Sequence, residues 1–594
     1  MTEQFTNKPD HLRWRIGGEA GFGILSAGMI FAKIASRGGL FAFATSEYPS
    51  LIRGGHNFLN VRIGPEQVDS HCRYVDLLVA LNKETYDKHS DLLTRGAAVV
   101  WDPSDFEIDA DEADAKGILL VPVQLTAIAK EHGSPILRNT IAIGASIALA
   151  GYDLDLFKGV LSDTFSRKGD AVVKMNIGSA QAGYDAVGKE AVNRFPHTMS
   201  PKAEKDTILI SGNESIAAGA VQAGCKLVAA YPMTPASSVM MTMAKLEKGH
   251  DVVVKHTEDE LAAINMAVGG NFAGVRSMTA TSGGGFCLMT EAFGMANVSE
   301  TPLVVVEAQR PGPGTGMATH TGQADLRMIL HAATDEAPRI IIAPGDADEC
   351  FYGTQLAFNL AEEYQMSVVI LTDKFLADSY QTVGYFDKER VPIKRGKLLT
   401  DVEAEKETDY RRYRFTDDGI SPRSIPGQPN CNHVCTSYEH NEHGTEDEDE
   451  ENRNKMFEKR FGKMDLVAAA LDQPVLFGPA DADYTVISWG STKGVVRQSM
   501  LHLAEDGIRV SHLHLMVVNP LPMEVIDKVM SGPSKTVIIE ANHGGQLQGM
   551  IKEKNGLDPT HHIRKNDGRP FYPDEIVDAI RSYGQNGTGK EGSR

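Results

Sequence analysis

LVAAYPMTPASS (227–238), DVVVKHTEDELAAINMAVGG (251–270), SMTATSGGGFCLM (277–289) and PLVVVEAQRPGPGTGMATHTGQADL (302–326) follow one another closely along the chain. Each stretch holds a short, continuously apolar or β-branched run that ends in Gly, Ser, Thr, His or a polar turn. Continuous rather than alternating apolarity marks parallel strands covered on both faces. Ala- and Gly-rich segments at helical spacing follow several of the runs. The middle of the chain therefore reads as a layered α/β domain, over 205–380.

The same alternation extends outward. RWRIGG (13–18) leads into GFGILSAGMIFAKIASRGG (21–39), a strand, a glycine turn and a helix. FLNVRI, VDLLVAL, AAVVWD and ILLVPV follow, so residues 1–195 read as a second α/β domain. PHTMSPKAEKD (196–206) is polar, holds two prolines and reads as a linker. Toward the other end, YTVISWG, RVSHLHL and KTVIIEAN resume the pattern over 472–594. Residues 381–471 are instead charged and poor in apolar runs, with EHNEHGTEDEDEENRNK at 439–455, and read as a polar linker or insert, disordered or functional.

Composition sets limits. The chain has 594 residues, too many for one core at about 150 residues per domain. A net charge of −20 argues against nucleic-acid binding, which needs clustered Lys and Arg. Six scattered Cys and a start without an apolar leader point to a reducing cytoplasm. The most apolar helical stretch, 140–151, is far below the roughly 20 residues that span a bilayer, so no membrane segment is expected.

Three local patterns carry chemistry. In YPMTPASS, Pro235 suits a first helical position and Thr234 a cap. Such a helix start binds a carboxylate or is simply capped. In TEDELAAINMAVGG, Glu258 and Asp259 suit the first-turn dipole. Glu260 instead starts the face that carries Ala263, Ile264 and Ala267, where a buried carboxylate needs a partner. Arg310 follows a buried-type strand inside a Pro- and Gly-rich loop, placed to pair with a carboxylate or to brace the loop.

Taken in order, these stretches resemble the pyrimidine-side domain of the thiamine-diphosphate-dependent 2-oxoacid:ferredoxin oxidoreductases. GGEAGFGILSAGMIFAKIASRGG (17–39) and SEYPSLIRGGHNFLNVRIG (46–64) look like that family's gamma domain. HLMVVNPLP (514–522) and VIIEANHGGQL (537–547) look like its transketolase C-terminal-like domain. The resemblance implies an α/β chain of three domains, a gamma–alpha fusion of the 2-oxoglutarate type. It implies that Thr234 and Arg310, with Tyr231, address the substrate carboxylate, and that Glu260 hydrogen-bonds the aminopyrimidine and favours its imino tautomer. Gly21, Gly23, Arg53 and Gly54 would contribute to binding coenzyme A, the co-substrate. The family usually has Ile at Met233 and Ser at Ala236, both small departures.

Thiamine enzymes hold the diphosphate and Mg²⁺ with Gly-Asp-Gly and a later Asn. KGDAVV (168–173), PGDADE (344–349) and NDGRPF (566–571) lack that shape, and no metal ligand set is evident. Cys431 and Cys435, spaced C-x3-C, make a poor zinc pair. The family places the diphosphate half and a [4Fe-4S] cluster on a beta subunit, in an (alpha-beta)2 heterotetramer that passes electrons to ferredoxin. The expected activity is coenzyme A-dependent oxidative decarboxylation of a 2-oxoacid. The favoured acid is 2-oxoglutarate, and the reverse carboxylation, as in a reductive TCA cycle, is open. A pyruvate, branched-chain or aryl 2-oxoacid enzyme is the alternative, and a non-catalytic coenzyme A- or nucleotide-binding scaffold is the other class.

Overall fold

The computed structural model describes residues 10–50, 54–203 and 205–585. Contacts divide the chain into two compact units, Met1–Ile210 with Asp378–Tyr385, and Ser211–Ala377 with Phe386–Arg594.

The first unit is built on a mixed sheet. Its order is Leu119–Pro122, Leu93–Trp101, Val75–Ala80, Leu12–Glu19, His56–Gly64, Phe41–Glu47, Tyr380–Gly384 and Thr207–Ser211. The first four strands are parallel, and His56–Gly64 runs antiparallel to both of its neighbours. Trp14 stacks on Phe31 of the helix Ile24–Arg37, with ring centroids 4.3 Å apart. The apolar stretch noted at 140–151 forms most of the buried helix Arg138–Leu149. That helix crosses Asp170–Asp185 on glycines: a Cβ on Gly144 would stand 2.3 Å from the Ala180 carbonyl, and one on Gly183 would stand 2.0 Å from that of Ile141. Only glycine allows so close a backbone approach.

The second unit holds two sheets. The larger runs Val517–Asn519, Arg339–Ile342, Ser367–Asp373, Leu303–Gln309, Ser277–Thr281, Leu227–Ala230, Val253–His256. All of it is parallel except the edge pair Val517–Asn519 and Arg339–Ile342. The smaller, Val510–Leu515, Tyr484–Trp489, Lys535–Glu540 and His561–Arg564, is parallel throughout. Lys493 and His514 join the two by bonding to Glu349 at 2.6 and 2.8 Å.

The charged segment before residue 471 is neither a linker nor a loop throughout. Glu450–Ala470 is a 21-residue helix. Asp449 caps it by accepting from Glu451 and Asn452, and Glu450 and Glu451 lie in its first turn, where acids suit the helix dipole. Glu439 accepts from Arg453 and Arg460 at 2.5 and 2.6 Å. Lys459 donates to the buried Glu300 at 2.5 Å, and Lys463 bonds to its other oxygen. The acidic run is thus bound up in capping and ion pairs. At the other end of the segment, Tyr380–Gly384 is a strand that pairs with Phe41–Glu47.

Candidate functional site

The strands of the larger sheet deliver their turns to one edge. Leu227–Ala230 ends at Tyr231, which is exposed beside His256, with ring centroids 6.2 Å apart. The turn Thr234–Ala236 follows, and the helix begins only at Ser237. Thr234 is therefore not a cap, and Pro235 is not the first helical residue: Ala236 is the N-cap, with no side-chain hydrogen bond. Asn213, from the helix Gly212–Gln222, holds the turn in place of a cap. Its Nδ2 donates to the Pro235 carbonyl at 2.9 Å and to Ser238 Oγ at 2.7 Å.

Arg310 comes from the strand Leu303–Gln309 and meets this turn: its Nη1 donates to the Thr234 carbonyl at 2.7 Å. Gln309 steadies the loop, donating to the Thr372 carbonyl and accepting from the Asp325 N–H, both at 3.0 Å. Gly316 folds the loop on itself at φ 52°, where a Cβ would lie 1.8 Å from the Pro311 carbonyl. Gln323 fastens its far end to the C-terminal sheet through the backbone of Ala541.

Glu260 is the first residue of the helix Glu260–Phe272, and Asp259 caps that helix by accepting from Ala262 at 2.8 Å. Glu260 is only 3% exposed, and its Oε1 is buried without a hydrogen-bond partner. It leans over Gly285, near the start of the helix Gly283–Val298. A Cβ there would stand 2.6 Å from Glu260 Oε1 and 2.1 Å from Thr281 Oγ1. Thr281 in turn approaches Met233 Sδ at 3.9 Å, which links Glu260 to the Thr234 turn. Asp325 packs likewise over the first glycine of the run, with its Oδ2 2.6 Å from the Cβ position of Gly283. A buried carboxylate oxygen without a donor, above a glycine that leaves space, fits the ring nitrogen of an aminopyrimidine.

Sequence reasoning missed Asn213, Thr281, Glu307 and Asp325. Thr281 stands immediately before the glycine run, and that adjacency is the one signal available. The other three depend on which strands are neighbours. Among the described residues no group of three or more His, Cys, Asp or Glu is arranged to hold a metal ion. None of their helices is long and apolar enough to cross a membrane.

In the first unit, Gly21 (φ 95°) and Gly23 (φ 74°) shape the turn between Leu12–Glu19 and Ile24–Arg37. Gly23 is the N-cap, and no side chain caps that helix. Gly54 also has positive φ, 77°. Glu19 pairs with His56, so the turn holding Gly21 and Gly23 and the turn holding Gly54 lie at the same end of the sheet. Arg53 lies outside the described residues. Beside these turns Arg15 Nη1 donates to His89 Nδ1 at 2.8 Å, and His89 Nε2 lies 2.8 Å from His56 Nε2. Arginine is only a donor, so His89 must accept at Nδ1 and donate from Nε2 to His56. Burial lowers the pKa of His89 to about 2 and that of His56 to about 4.

Residues 13–186 match a family described as pyruvate ferredoxin/flavodoxin oxidoreductase, and residues 218–459 match its thiamine-diphosphate-binding domain. A 2-oxoacid:ferredoxin oxidoreductase alpha subunit from Sulfolobus is 33% identical over 96% of both chains. The 2-oxoglutarate synthase subunit KorA of Methanothermobacter marburgensis is 32% identical and covers 62% of this chain and 97% of its own. A solved 2-oxoglutarate:ferredoxin oxidoreductase from Magnetococcus marinus, with 2-oxoglutarate, coenzyme A and succinyl-CoA bound, is 33% identical. It superposes with a TM-score of 0.90, covering 97% of this chain and all of that one.

Proposed function

The chain belongs to the 2-oxoacid:ferredoxin oxidoreductases, and on that premise we propose that it supplies the substrate side of a 2-oxoglutarate-oxidising, coenzyme A-dependent site. One observation carries the reading: Arg310 is anchored on the Thr234 carbonyl, while at the same sheet edge the buried Glu260 Oε1 has no hydrogen-bond partner among the described residues.

In this reading the free N–H groups of Arg310 and the Thr234 hydroxyl bind the carboxylate of the 2-oxoacid and fix the direction of its C1–C2 bond. Tyr231 stands at the mouth of the same turn. Glu260 Oε1, buried without a partner, would hydrogen-bond the ring nitrogen of a bound aminopyrimidine. When bound, thiamine diphosphate supplies the electron sink for cleavage of the C1–C2 bond. Burial of Glu260 keeps competing water from its oxygen.

The diphosphate, Mg²⁺ and the [4Fe-4S] cluster belong in this reading to a beta subunit. The exposed Leu261 and Met266 on Glu260–Phe272, with Leu288 and Met295 on the adjoining Gly283–Val298, support a partner there. In the first unit, the uncapped helix start at Gly23 and the turns at Gly21 and Gly54, with Arg53 next to Gly54 in sequence, suit the phosphates of coenzyme A. The acceptor is ferredoxin. The bound molecules of the Magnetococcus enzyme favour 2-oxoglutarate over pyruvate or branched-chain acids.

The test is reconstitution. The purified chain, alone and with a partner that carries Gly-Asp-Gly and cluster cysteines, would be assayed for thiamine diphosphate binding and for ferredoxin reduction with each 2-oxoacid. Tight cofactor binding and turnover only in the pair, fastest with 2-oxoglutarate, is the expected result. Decarboxylation by the isolated chain, or a clear preference for pyruvate, overturns it.

A further inference from the structure

The loop that leaves the larger sheet at Arg310 is closed at its base by Gln309, which accepts from the Asp325 N–H. Two residues before that closure, the chain is held by the other sheet. Gln323 is 1% exposed. Its N–H donates to the Ala541 carbonyl at 2.7 Å, and its Oε1 accepts from the Ala541 N–H at 3.0 Å. Its Nε2 donates to the Trp489 carbonyl at 3.0 Å, and its own carbonyl accepts from Asn542 Nδ2 at 3.0 Å. Trp489 ends one central strand of the smaller sheet, and Ala541 and Asn542 directly follow the other.

Each end of the Gln323 amide meets a group of one kind. A backbone carbonyl only accepts and a backbone N–H only donates, so the amide has one orientation and both of its ends are used. Gly490 leaves the space for it: its φ is 58°, and a Cβ there would stand 2.8 Å from Gln323 Nε2. The residue before Gln323 carries this support to Arg310. The Cβ position of Gly322 lies 3.6 Å from Pro311 Cγ, 3.8 Å from Pro311 N and 3.7 Å from the Ala541 carbonyl oxygen. Pro311 directly follows Arg310. The backbone at Arg310 therefore leans on Gly322 and Gln323, and these are fastened to the smaller sheet.

We propose that Gln323 is a positioning residue for substrate binding, which fixes the backbone at Pro311 against the smaller sheet and so holds the Arg310 guanidinium at the Thr234 turn. The proposal rests on the reading that Arg310 binds the substrate carboxylate. The bond from Arg310 Nη1 to the Thr234 carbonyl fixes the tip of that side chain, and the contact of Pro311 with Gly322 fixes its base. The smaller sheet thus acts on the substrate through the loop.

The experiment uses the complex reconstituted with its partner chain. KM and kcat for 2-oxoglutarate would be measured for the wild type, Gln323→Leu, Gln323→Glu, Arg310→Lys and the double variant of Gln323→Leu with Arg310→Lys. Thiamine diphosphate affinity and melting curves would be recorded beside them. Misplacing a binding group by a fraction of an ångström is enough for Gln323→Leu to raise KM about tenfold, with kcat and thiamine diphosphate affinity changed by less than about twofold. In the Arg310→Lys background the same substitution should add little, because both changes act on one cation.

Gln323→Glu keeps the shape of the side chain. Ionised, it turns an oxygen onto the Trp489 carbonyl and has no hydrogen to give. Protonated, it donates there and accepts from the Ala541 N–H, as the amide does. A hydrogen bond made only by the neutral form raises the pKa of a carboxyl, so KM of this variant should return toward the wild-type value as the pH falls from about 8.5 to about 6.

Wild-type KM in Gln323→Leu would overturn the proposal. So would an effect that adds in full to that of Arg310→Lys, since the two residues would then act independently. Loss of thiamine diphosphate affinity in proportion to the rise in KM would overturn it too, because Gln323 would then serve the fold as a whole. If Gln323→Leu does not fold, Gln323→Glu decides alone, and a KM that keeps the same ratio to the wild type at every pH overturns the proposal. If Arg310→Lys itself leaves KM unchanged, it is the underlying reading of Arg310 that fails, whatever the Gln323 variants do.

Discussion

Arg310 Nη1 and the Thr234 carbonyl oxygen are 2.7 Å apart, although the residues are 76 positions apart in the chain. That bond occupies one arm of the guanidinium and leaves the others to recognise a carboxylate. Lysine offers a point charge without the planar fork. Arg310→Lys should therefore lower kcat/KM by about 10- to 100-fold, mostly through KM, the loss of one or two charge-assisted hydrogen bonds. Steady-state kinetics of the reconstituted complex measures this, and a loss under twofold would remove Arg310 from substrate binding.

Glu260→Gln keeps the shape of a buried side chain and removes its capacity to hold a proton. The expected loss in kcat is about 100-fold or more, in the range of general acid–base catalysis. Melting temperature and assembly with the partner should be unchanged. Full turnover in the variant would return Glu260 to a purely structural role at the helix start.

Gly285→Ala would set a methyl group 2.1 Å from Thr281 Oγ1 and 2.6 Å from Glu260 Oε1. Both side chains must shift. Overpacking of this kind costs about 1–3 kcal/mol, and kcat should fall with stability. A crystal structure of the variant with Glu260 in its original place and full activity would count against the geometry described for this site.

Glu300 pairs with two buried lysines of the helix Glu450–Ala470, one at each carboxylate oxygen. Glu300→Gln leaves Lys459 and Lys463 without that counter-charge, and removal of one member of a buried cluster costs about 3–5 kcal/mol. Chemical denaturation should show the loss, and hydrogen exchange should localise it to Glu450–Ala470. Unchanged protection of that helix would mean the cluster does not hold it.

His56 and His89 bear on acid stability. Burial lowers both pKa values, to about 4 and about 2, below that of a histidine in an unfolded chain. Between pH 6.5 and about 4 the unfolded state thus binds more protons than the folded one, so stability rises with pH and is lost on acidification. Melting of the first unit should weaken as pH falls through that window, and His89→Gln should flatten the slope. An unchanged slope in the variant would assign the acid sensitivity to other groups.

Much of this was legible from residues near one another in sequence. Parallel-strand runs, the glycine turn at Gly21 and Gly23, the glycine run Gly283–Gly285 and the helix that starts at Glu260 are all local patterns. Each is decided by backbone preference and hydrophobic period over fewer than about 20 residues. Tertiary structure decided the rest. Leu303–Gln309 pairs with both Ser277–Thr281 and Ser367–Asp373, and this places Arg310, Asp373 and the glycine run at one edge of the sheet. The same pairing buries Glu307, and the fold of the loop after Arg310 brings Asp325 onto Gly283. The run 439–455 reads as solvated charge until Arg453 and Arg460 are seen to pair with Glu439. Tyr380–Gly384 becomes a strand because Phe41–Glu47 offers an edge. Backbone periodicity is written in short stretches of sequence, but burial and pairing of charge depend on which distant strands become neighbours.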